Sequence, residues 1–223
     1  MDVHLLPGLG ADRRLFARTD LPGHRLVTHD WPTMPAGSTL ADLAARLAER
    51  VDRTVPHALV GVSMGGMVAQ ELAALTGPQR VVIISSWTGP HAMPAPIKVL
   101  RGTHPEKLLS RAFIQRTKPF LRWQKGATDA DAIALLDALL DVHPVAQLQV
   151  QVDAVLRWNG PARPVPGLVH IHGDNDHLMP LGPIRGAVVV KGGGHLMVYT
   201  QAPTVSALVQ RALAGEPLSS GPA

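Results

Sequence analysis

The chain has 223 residues, 46% of them hydrophobic and 17% charged, with a formal net charge of +4. This length and composition predict a single soluble globular domain with a large buried core. The absence of cysteine excludes disulfides, cysteine-based zinc sites and a thiol nucleophile. Neither a basic start followed by an apolar run nor a stretch of about 18 apolar residues is present, so we expect no signal peptide, no membrane span and a cytoplasmic location.

The first 86 residues alternate short apolar runs with helical patterns. Apolar residues recur at helical spacing from Leu40, and Thr39 with Asp42 forms a typical helix start. A second helix, rich in small residues, is predicted at 64–75. Strands are predicted at 3–6, 25–28, 57–62 and 80–84. This alternation predicts a mostly parallel sheet with helices on both faces, the α/β class.

Between residues 87 and 161 the alternation stops and only helical patterns remain. One apolar stripe runs over 132–140, with Thr128 and Asp131 as its expected cap, and another helix is expected at 145–156. Strands return at 168–172 and 187–190, and a helix at 205–214 follows. We therefore predict a core formed by 1–86 and 162–223, and a helical cap insert at 87–161. The Gly-, Pro- and Ser-rich tail at 215–223 is expected to lack fixed structure.

The segment 61–66, between a predicted strand and a predicted helix, reads G-V-S-M-G-G. In this context G-x-S-x-G is typical of a tight turn that lifts a serine hydroxyl clear of the sheet. The glycines leave room for a strained backbone, and the following helix N-terminus favours developing negative charge. The pattern predicts Ser63 as a nucleophile. The alternative is a glycine-rich turn with a bystander serine.

A serine hydroxyl needs a base, and the chain has 11 histidines. His195 ends a G-G-G-H run after the last predicted strand, at the edge of the sheet where ligands bind in such folds. The other histidines lie in or beside predicted strands, or have no partner pattern. We therefore assign His195 as the base. A carboxylate must orient its ring, and the residue types alone do not choose between Asp174 and Asp176.

Acyl transfer also needs backbone donors for the developing oxyanion. The N–H of Met64, directly after the serine, is one expected donor. The glycine-rich turn at 7–10, after the first strand, should supply the other. We assign the N–H of Leu9, with Gly10 as the near alternative.

Taken together, these motifs resemble the α/β-hydrolase superfamily, in its esterase-like group with a G-x-S-x-G-G turn and a compact helical cap. The resemblance covers nearly all of the chain outside 87–161. The acid of that group usually lies in H-G-x-x-D-x-x-x-P, which here spans 172–180 and implies Asp176 over Asp174. The chain departs from the family in having Pro7-Gly8 where His-Gly is common. It also lacks two leading strands, which leaves about six parallel strands.

The resemblance implies a carboxylesterase-like hydrolase that works through an acyl-enzyme and a Ser-His-Asp triad, without a cofactor. The Leu- and Val-rich insert predicts an apolar pocket, and hence a short- to medium-chain or aryl ester as the small-molecule substrate. Thioester hydrolysis, cyanohydrin or C–C lyase chemistry and a ligand-binding receptor remain open on the same fold. The candidate substrate contacts, each with ordinary packing as the alternative, are Trp31, Ser85, Ser86, Trp87 and Met197.

Two further patterns invite other functions. The run 170–177, H-I-H-G-D-N-D-H, is similar to the H-x-H-x-D-H run of metallo-β-lactamase-like hydrolases. Asn175, however, stands where that run needs histidine, and further ligands cannot be placed, so we expect no metal. The segment from Lys98 to Lys125 contains eight basic residues and a single acidic one, Glu106. They could attract an anionic substrate or a membrane surface, with a solvated helix face as the alternative. No motif indicates nucleic-acid binding, and we expect a monomer or homodimer.

Overall fold

The computed structural model describes residues 1–218, so the last five residues of the 215–223 tail lie outside the described part. The strands are β1 (Asp2–Leu6), β2 (Arg25–Thr28), β3 (His57–Val62), β4 (Arg80–Ile84), β5 (Val169–Gly173) and β6 (Val188–Val190). The α-helices are α1 (Leu40–Ala48), α2 (Met64–Thr76), α3 (Ala95–Leu100), α4 (Arg111–Lys125), α5 (Ala130–Val142), α6 (Val145–Arg157), α7 (Met197–Thr200) and α8 (Ala202–Leu213).

The six strands form one sheet in the order β2-β1-β3-β4-β5-β6, and every neighbouring pair is parallel. The predicted α/β class with about six parallel strands is confirmed. Since β2 lies on one side of β1 and the later strands on the other, the strand order reverses between β1 and β3. Ligands bind at such a reversal, beyond the carboxyl ends of the strands. The loops that carry Leu9 and Ser63 leave β1 and β3 at this point.

Helices cover both faces of the sheet, because its central strands carry apolar side chains on both faces. Along β3, Ala58, Val60 and Val62 belong to one apolar cluster, together with α8 and part of α5. Leu59 belongs to a second cluster, with α1 and α2. This alternation follows from the period of two in a strand. Helices packed on both faces hold the carboxyl edge of the sheet in a defined position.

The caps of two helices test the sequence-based boundaries. At α1 the prediction is confirmed, because Thr39 Oγ1 accepts from the N–H of Asp42 (3.1 Å) and Asp42 accepts from the N–H of Thr39 (2.8 Å). At α5 the prediction of Thr128 and Asp131 is wrong. The cap is Asp129, whose Oδ1 accepts from the N–H of Ala132 at 2.8 Å. Asp129 directly precedes the first helical residue, where a side chain reaches the orphan N–H groups.

Helices α3 to α6 all lie in the insert, which we define as residues 87–161, between β4 and β5. Half of the basic run has partners inside this insert. Lys118 pairs with Asp141 and Arg122 with Asp137, both between α4 and α5. Arg111 and Arg101 donate to backbone carbonyls of the insert. These four side chains therefore hold the helices together and do not form a free cationic patch.

Helices α5 and α6 follow each other with only a short break. Their axes differ by 101°, and both bury apolar residues, such as Leu136 in α5 and Leu148 in α6. Within residues 1–218, no single helix has the length and the apolarity needed to cross a membrane; α5 and α6 reach that threshold only as this bent pair.

Candidate active site

Ser63 occupies a strained turn between β3 and α2. Its backbone has φ 56° and ψ −122°, a conformation that costs a non-glycine residue about 1–3 kcal/mol. The surroundings hold the turn from two sides. The Ser63 N–H donates to the carbonyl of Ile84 (2.9 Å), and the Ser63 carbonyl accepts from the N–H of Gly66 (2.9 Å) and from Ser86 Oγ (2.7 Å). The backbone that presents the hydroxyl is therefore fixed before any substrate arrives.

The two glycines of the G-x-S-x-G pattern are required by close packing. A Cβ on Gly61 would overlap the carbonyl oxygen of Gly65, and a Cβ on Gly65 would overlap the carbonyl oxygen of Leu6. The strand-to-helix turn thus closes directly against the end of β1. Only residues without a side chain permit this approach.

His195 and Asp176 form a buried pair. His195 Nδ1 lies 2.8 Å from Asp176 Oδ2, and each residue is only 3% exposed. Asp176 Oδ1 accepts from the N–H groups of Leu178 (3.0 Å) and Met179 (2.8 Å). Burial raises the pKa of Asp176. The charge and hydrogen bond of His195 and the N–H of Met179 lower it by more than burial raises it, so the pKa lies below its ordinary value. An ionised Asp176 accepts a hydrogen bond from the Nδ1–H of His195, and this tautomer leaves Nε2 able to accept a proton.

Asp174, the other acid weighed from the sequence, has different contacts. It is exposed, and its Oδ1 accepts from the N–H of Gly192 at 2.6 Å. This bond joins the loop after β5 to the loop that carries His195. Asp174 therefore supports the loop, while Asp176 contacts the histidine ring.

The two expected oxyanion donors lie at the strand reversal. Among the described residues, the N–H groups of Leu9 and Met64 have no hydrogen-bond acceptor. The N–H of Gly10, the alternative donor, is engaged, because it donates to Gln151 Oε1 at 2.9 Å. Trp31 Nε1 donates to the Gly8 carbonyl at 2.9 Å on the same loop. Of the two donors weighed from the sequence for this loop, Gly10 is therefore engaged and Leu9 is free.

Gln151 is a residue that the sequence analysis missed. It belongs to α6 of the insert, is 2% exposed, and reaches across to a loop of the core 141 residues away. A glutamine in an apolar helical pattern carries no signal of such a contact. Only the packing of the insert over the sheet brings Gln151 to Gly10.

Two cavities adjoin Ser63. The smaller cavity is lined by Ser63, His195 and the Gly8–Gly10 turn, so the serine and the histidine border the same cavity. The larger has a volume of about 280 Å³ and lies between Ser63 and the insert. Its polar side chains are Ser63, Gln124 and Lys125. Its apolar side chains are Leu9, Met64, Met67, Trp87, Ile97, Leu109, Ile114, Leu121, Leu140, Leu148, Val152, Val155, Leu156, Leu178 and Met179.

The residues expected to touch substrate lie in two layers. Trp87 lines the larger cavity. Ser86 lies behind it, bound to the Ser63 carbonyl, and Trp31 lies behind the Gly8 turn. Ser85 and Met197 are fully buried in the protein interior. Among the described residues, Trp87 alone of these five belongs to the cavity wall, because the other four side chains pack against the backbone or core that supports it.

The three histidines of the 170–177 run do not converge on one point. His170 Nε2 lies 3.2 Å from His172 Nδ1, and His172 Nε2 donates to the Met179 carbonyl at 2.7 Å. The ring of His177 stacks on Trp123 with the ring centroids 4.5 Å apart. Burial lowers the pKa of His170 to about 3, so its ring is neutral at physiological pH. These contacts direct the nitrogens to neighbours within the fold and not to a common point.

One group within residues 1–218 brings three potential metal-ligand side chains together. His104 Nδ1 lies 3.1 Å from Glu106 and 3.9 Å from Asp153, on the insert. Asp153 also pairs with Arg157 at 2.6 Å, which offsets its charge. None of the three lines the cavities at Ser63, so the group contributes nothing to the site described above.

The sequence pattern of the alpha/beta hydrolase family matches residues 2–208. The chain therefore belongs to the α/β-hydrolase family, as its sheet order and its strained serine turn also indicate. No curated protein sequence matches it significantly.

Solved structures share the fold across almost the whole chain. A thermophilic esterase from Thermogutta terrifontis, solved with malate bound, is 18% identical, with a TM-score of 0.75 and coverage of 96% of this chain and 90% of that chain. A bromoperoxidase from Bacillus anthracis is 17% identical (TM-score 0.71; 96% and 91% covered). The epoxide hydrolase CorEH is 14% identical (TM-score 0.69; 96% and 91% covered). Since structures named as an esterase, a bromoperoxidase and an epoxide hydrolase share this fold, the fold leaves the chemistry to the site.

Proposed function

We propose that the protein is a serine hydrolase that cleaves carboxylic esters through an acyl-enzyme. The observation that carries this proposal is the strained Ser63 turn, which shares one cavity with a histidine whose other ring nitrogen is bonded to a buried carboxylate. In the proposed triad Ser63 is the nucleophile, His195 the base and Asp176 the orienting acid. The N–H groups of Leu9 and Met64 form the oxyanion hole.

In the first step, Ser63 Oγ attacks the ester carbonyl while His195 Nε2 takes the hydroxyl proton. The carbonyl oxygen becomes an oxyanion, which accepts hydrogen bonds from the N–H groups of Leu9 and Met64. As the carbonyl re-forms, the alcohol leaves with the proton held by His195. Asp176 stays ionised throughout and stabilises the charged ring.

In the second step, water replaces the alcohol. His195 takes a proton from water as the water attacks the acyl carbon, and then returns that proton to Ser63 Oγ. The products are a carboxylic acid and the free serine. The balance is one ester and one water in, one acid and one alcohol out, and no cofactor takes part.

The cavity supports a small substrate. A volume of about 280 Å³ lies just below the range of roughly 300–1,000 Å³ typical of small-molecule sites. Its walls are apolar, which favours short- to medium-chain or aryl esters over long acyl chains. In this proposal the insert acts as a cap that excludes water from the ester. The cytoplasmic location and the monomeric or homodimeric state stay predictions from the sequence.

Pre-steady-state turnover of 4-nitrophenyl butyrate tests the function. We expect a burst of nitrophenolate equal to the enzyme concentration, followed by steady turnover, and no burst with Ser63→Ala. A matched thioester and a cyanohydrin tested alongside would identify a thioesterase or a lyase if they turned over faster. A burst that persists in Ser63→Ala, or binding of the ester without turnover, would contradict the proposal.

A further inference from the structure

Lys125, the last residue of α4, lines both cavities at Ser63. The end of this helix is held against the loop that carries the histidine. Leu196 donates its N–H to the Lys125 carbonyl at 2.9 Å, and a Cβ on Gly126 would lie 3.1 Å from the Cα of Gly194. The position of Lys125 is thus determined by backbone contacts beside the proposed catalytic base.

The charge of Lys125 is unbalanced within the described part of the chain. Two other cations of α4 pair with carboxylates of α5, Lys118 with Asp141 and Arg122 with Asp137. No carboxylate of residues 1–218 lies within ion-pair distance of Lys125. Asp176 attracts it but is already bonded to His195. Burial lowers the pKa of Lys125 below its ordinary value, and Asp176 offsets this only in part.

Lys125 is half-buried in the wall of an otherwise largely apolar cavity. A charge that loses part of its hydration there without a counter-ion is costly, and titratable groups in such surroundings concentrate at functional sites. We propose that Lys125 binds a carboxylate carried by the substrate, so that the ester entering this cavity is a short half-ester of a dicarboxylic acid or an ester of a carboxylated alcohol. The inference rests on the proposed ester hydrolysis. It names the substrate class of that same site.

The polar groups that line the larger cavity favour a carboxylate over other anions. Beyond the nucleophile, the polar groups of the lining side chains are the Lys125 ammonium, the Gln124 amide and the indole N–H of Trp87, and the other walls are apolar. The single ammonium in this lining balances the charge of a carboxylate but only about half of the charge of a phosphate dianion. One ammonium and one amide match a single carboxylate. A volume of about 280 Å³ is small for a ligand site, which favours a short half-ester over a long one.

The competing explanation is that Lys125 only packs, with its methylene chain covering apolar wall and its amine reaching water. Matched ester pairs separate the two explanations. Monoethyl glutarate and ethyl pentanoate differ on the acyl side by a carboxylate in place of a methyl group. On the alcohol side, 4-acetoxybenzoate and 4-methylphenyl acetate differ in the same way. The measured quantity is the ratio of kcat/KM within each pair.

We expect Lys125→Met to lower the preference for the carboxylated ester at least tenfold in one of the two pairs. Lys98→Met, which removes an exposed lysine of α3, should leave both ratios unchanged. Labelling of Ser63 by a phosphonate checks that each variant is folded. If Lys125→Met does not fold, Lys125→Gln removes the charge while keeping a polar side chain.

Inhibition by glutarate supplies a second readout that a packing role would not change. Since the proposed ammonium binds the carboxylate of glutarate, inhibition of 4-nitrophenyl butyrate hydrolysis by glutarate should be weaker in Lys125→Met than in the wild type at the same pH. It should be the same in Lys98→Met as in the wild type. Unchanged ratios in both pairs, with unchanged glutarate inhibition, would overturn the role of Lys125 while leaving ester hydrolysis intact. Failure of the wild type to hydrolyse any of the four esters would overturn the proposed function itself, and this inference with it.

Discussion

Gln151→Met tests whether the insert positions the oxyanion hole. In the wild type, the buried amide oxygen of Gln151 accepts the N–H of Gly10 at 2.9 Å, directly after the proposed donor Leu9. Methionine is unbranched and similar in length, so it removes the acceptor with little change in packing. The N–H of Gly10 then lies buried without a partner, which costs about 1–3 kcal/mol. The Gly8–Gly10 turn can recover this energy only by moving.

The size of the effect on catalysis follows from the donor that moves with the turn. Complete loss of one oxyanion donor costs roughly 100- to 1,000-fold in kcat. Because Leu9 is displaced and not removed, we expect a loss of about 10- to 100-fold, or about 1.4–2.7 kcal/mol of transition-state stabilisation. The assay is kcat for 4-nitrophenyl butyrate, with urea unfolding measured on the same samples.

The chain offers a matched control one helical turn away. Gln147 Oε1 accepts from the N–H of Met34 at 2.8 Å, and its Nε2 donates to the Met34 carbonyl at 3.1 Å. Gln147→Met therefore removes the same kind of bond between α6 and a loop of the core, but away from Leu9. It should lower stability by a similar amount and change kcat less than threefold. The reasoning is refuted if Gln151→Met stays within threefold of the wild type, or if both variants lose activity equally.

Two further predictions concern the acids and the buried histidines. Asp176→Asn should lower kcat by about 1,000-fold or more, because the amide favours the wrong tautomer of His195; Asp174→Asn, which keeps an acceptor for Gly192, should change kcat less than fivefold. Burial, together with neighbouring His4, lowers the pKa of His29 from 6.5 to about 4. Because the unfolded chain binds the extra proton between these values, His29 stabilises the fold above pH 6.5, and this contribution is lost as the pH falls towards 4. Urea unfolding should show that His29→Asn loses about 1 kcal/mol less stability than the wild type between pH 7.5 and 5.5.

A specific result would contradict each of these two predictions. If Asp174→Asn proved the more damaging variant, the roles of the two carboxylates would be exchanged. For the acid sensitivity, an equal loss of stability in the wild type and in His29→Asn would show that the buried ring does not take up a proton on unfolding. The pH dependence would then have to come from other groups.

The features readable from sequence are those set by local chain geometry. The strained turn at Ser63 was predictable because a strand, a glycine-flanked turn and a helix follow one another within a few residues. The parallel sheet was predictable because strands buried on both faces read as continuous apolar runs. The choice of Asp176 over Asp174 came from the family resemblance alone, since both acids leave the same strand and differ only in where the loop turns.

The features missed from sequence depend on contacts between distant segments. Gln151 acquires its position from the packing of the insert over the sheet, and no local pattern distinguishes it from a solvated polar residue of a helix. The basic run at 98–125 indicated a possible anionic substrate, but nothing in it distinguished Lys125 from the other cations. Trp31, Ser86 and Met197 were expected at the substrate because they follow strands on the catalytic side. The structure places them one layer behind the cavity wall, since a loop end determines the edge of the sheet but not which side chain reaches the space beyond it.

Covalent labelling of Ser63 tests the central claim most directly. A fluorophosphonate added to the wild type should add one label per chain by intact mass, and peptide mapping should locate it on Ser63. His195→Ala should react far more slowly, since it lacks the base, and Ser63→Ala should remain unlabelled. Labelling at another residue, or equal labelling of Ser63→Ala, would contradict the assignment of Ser63 as the nucleophile.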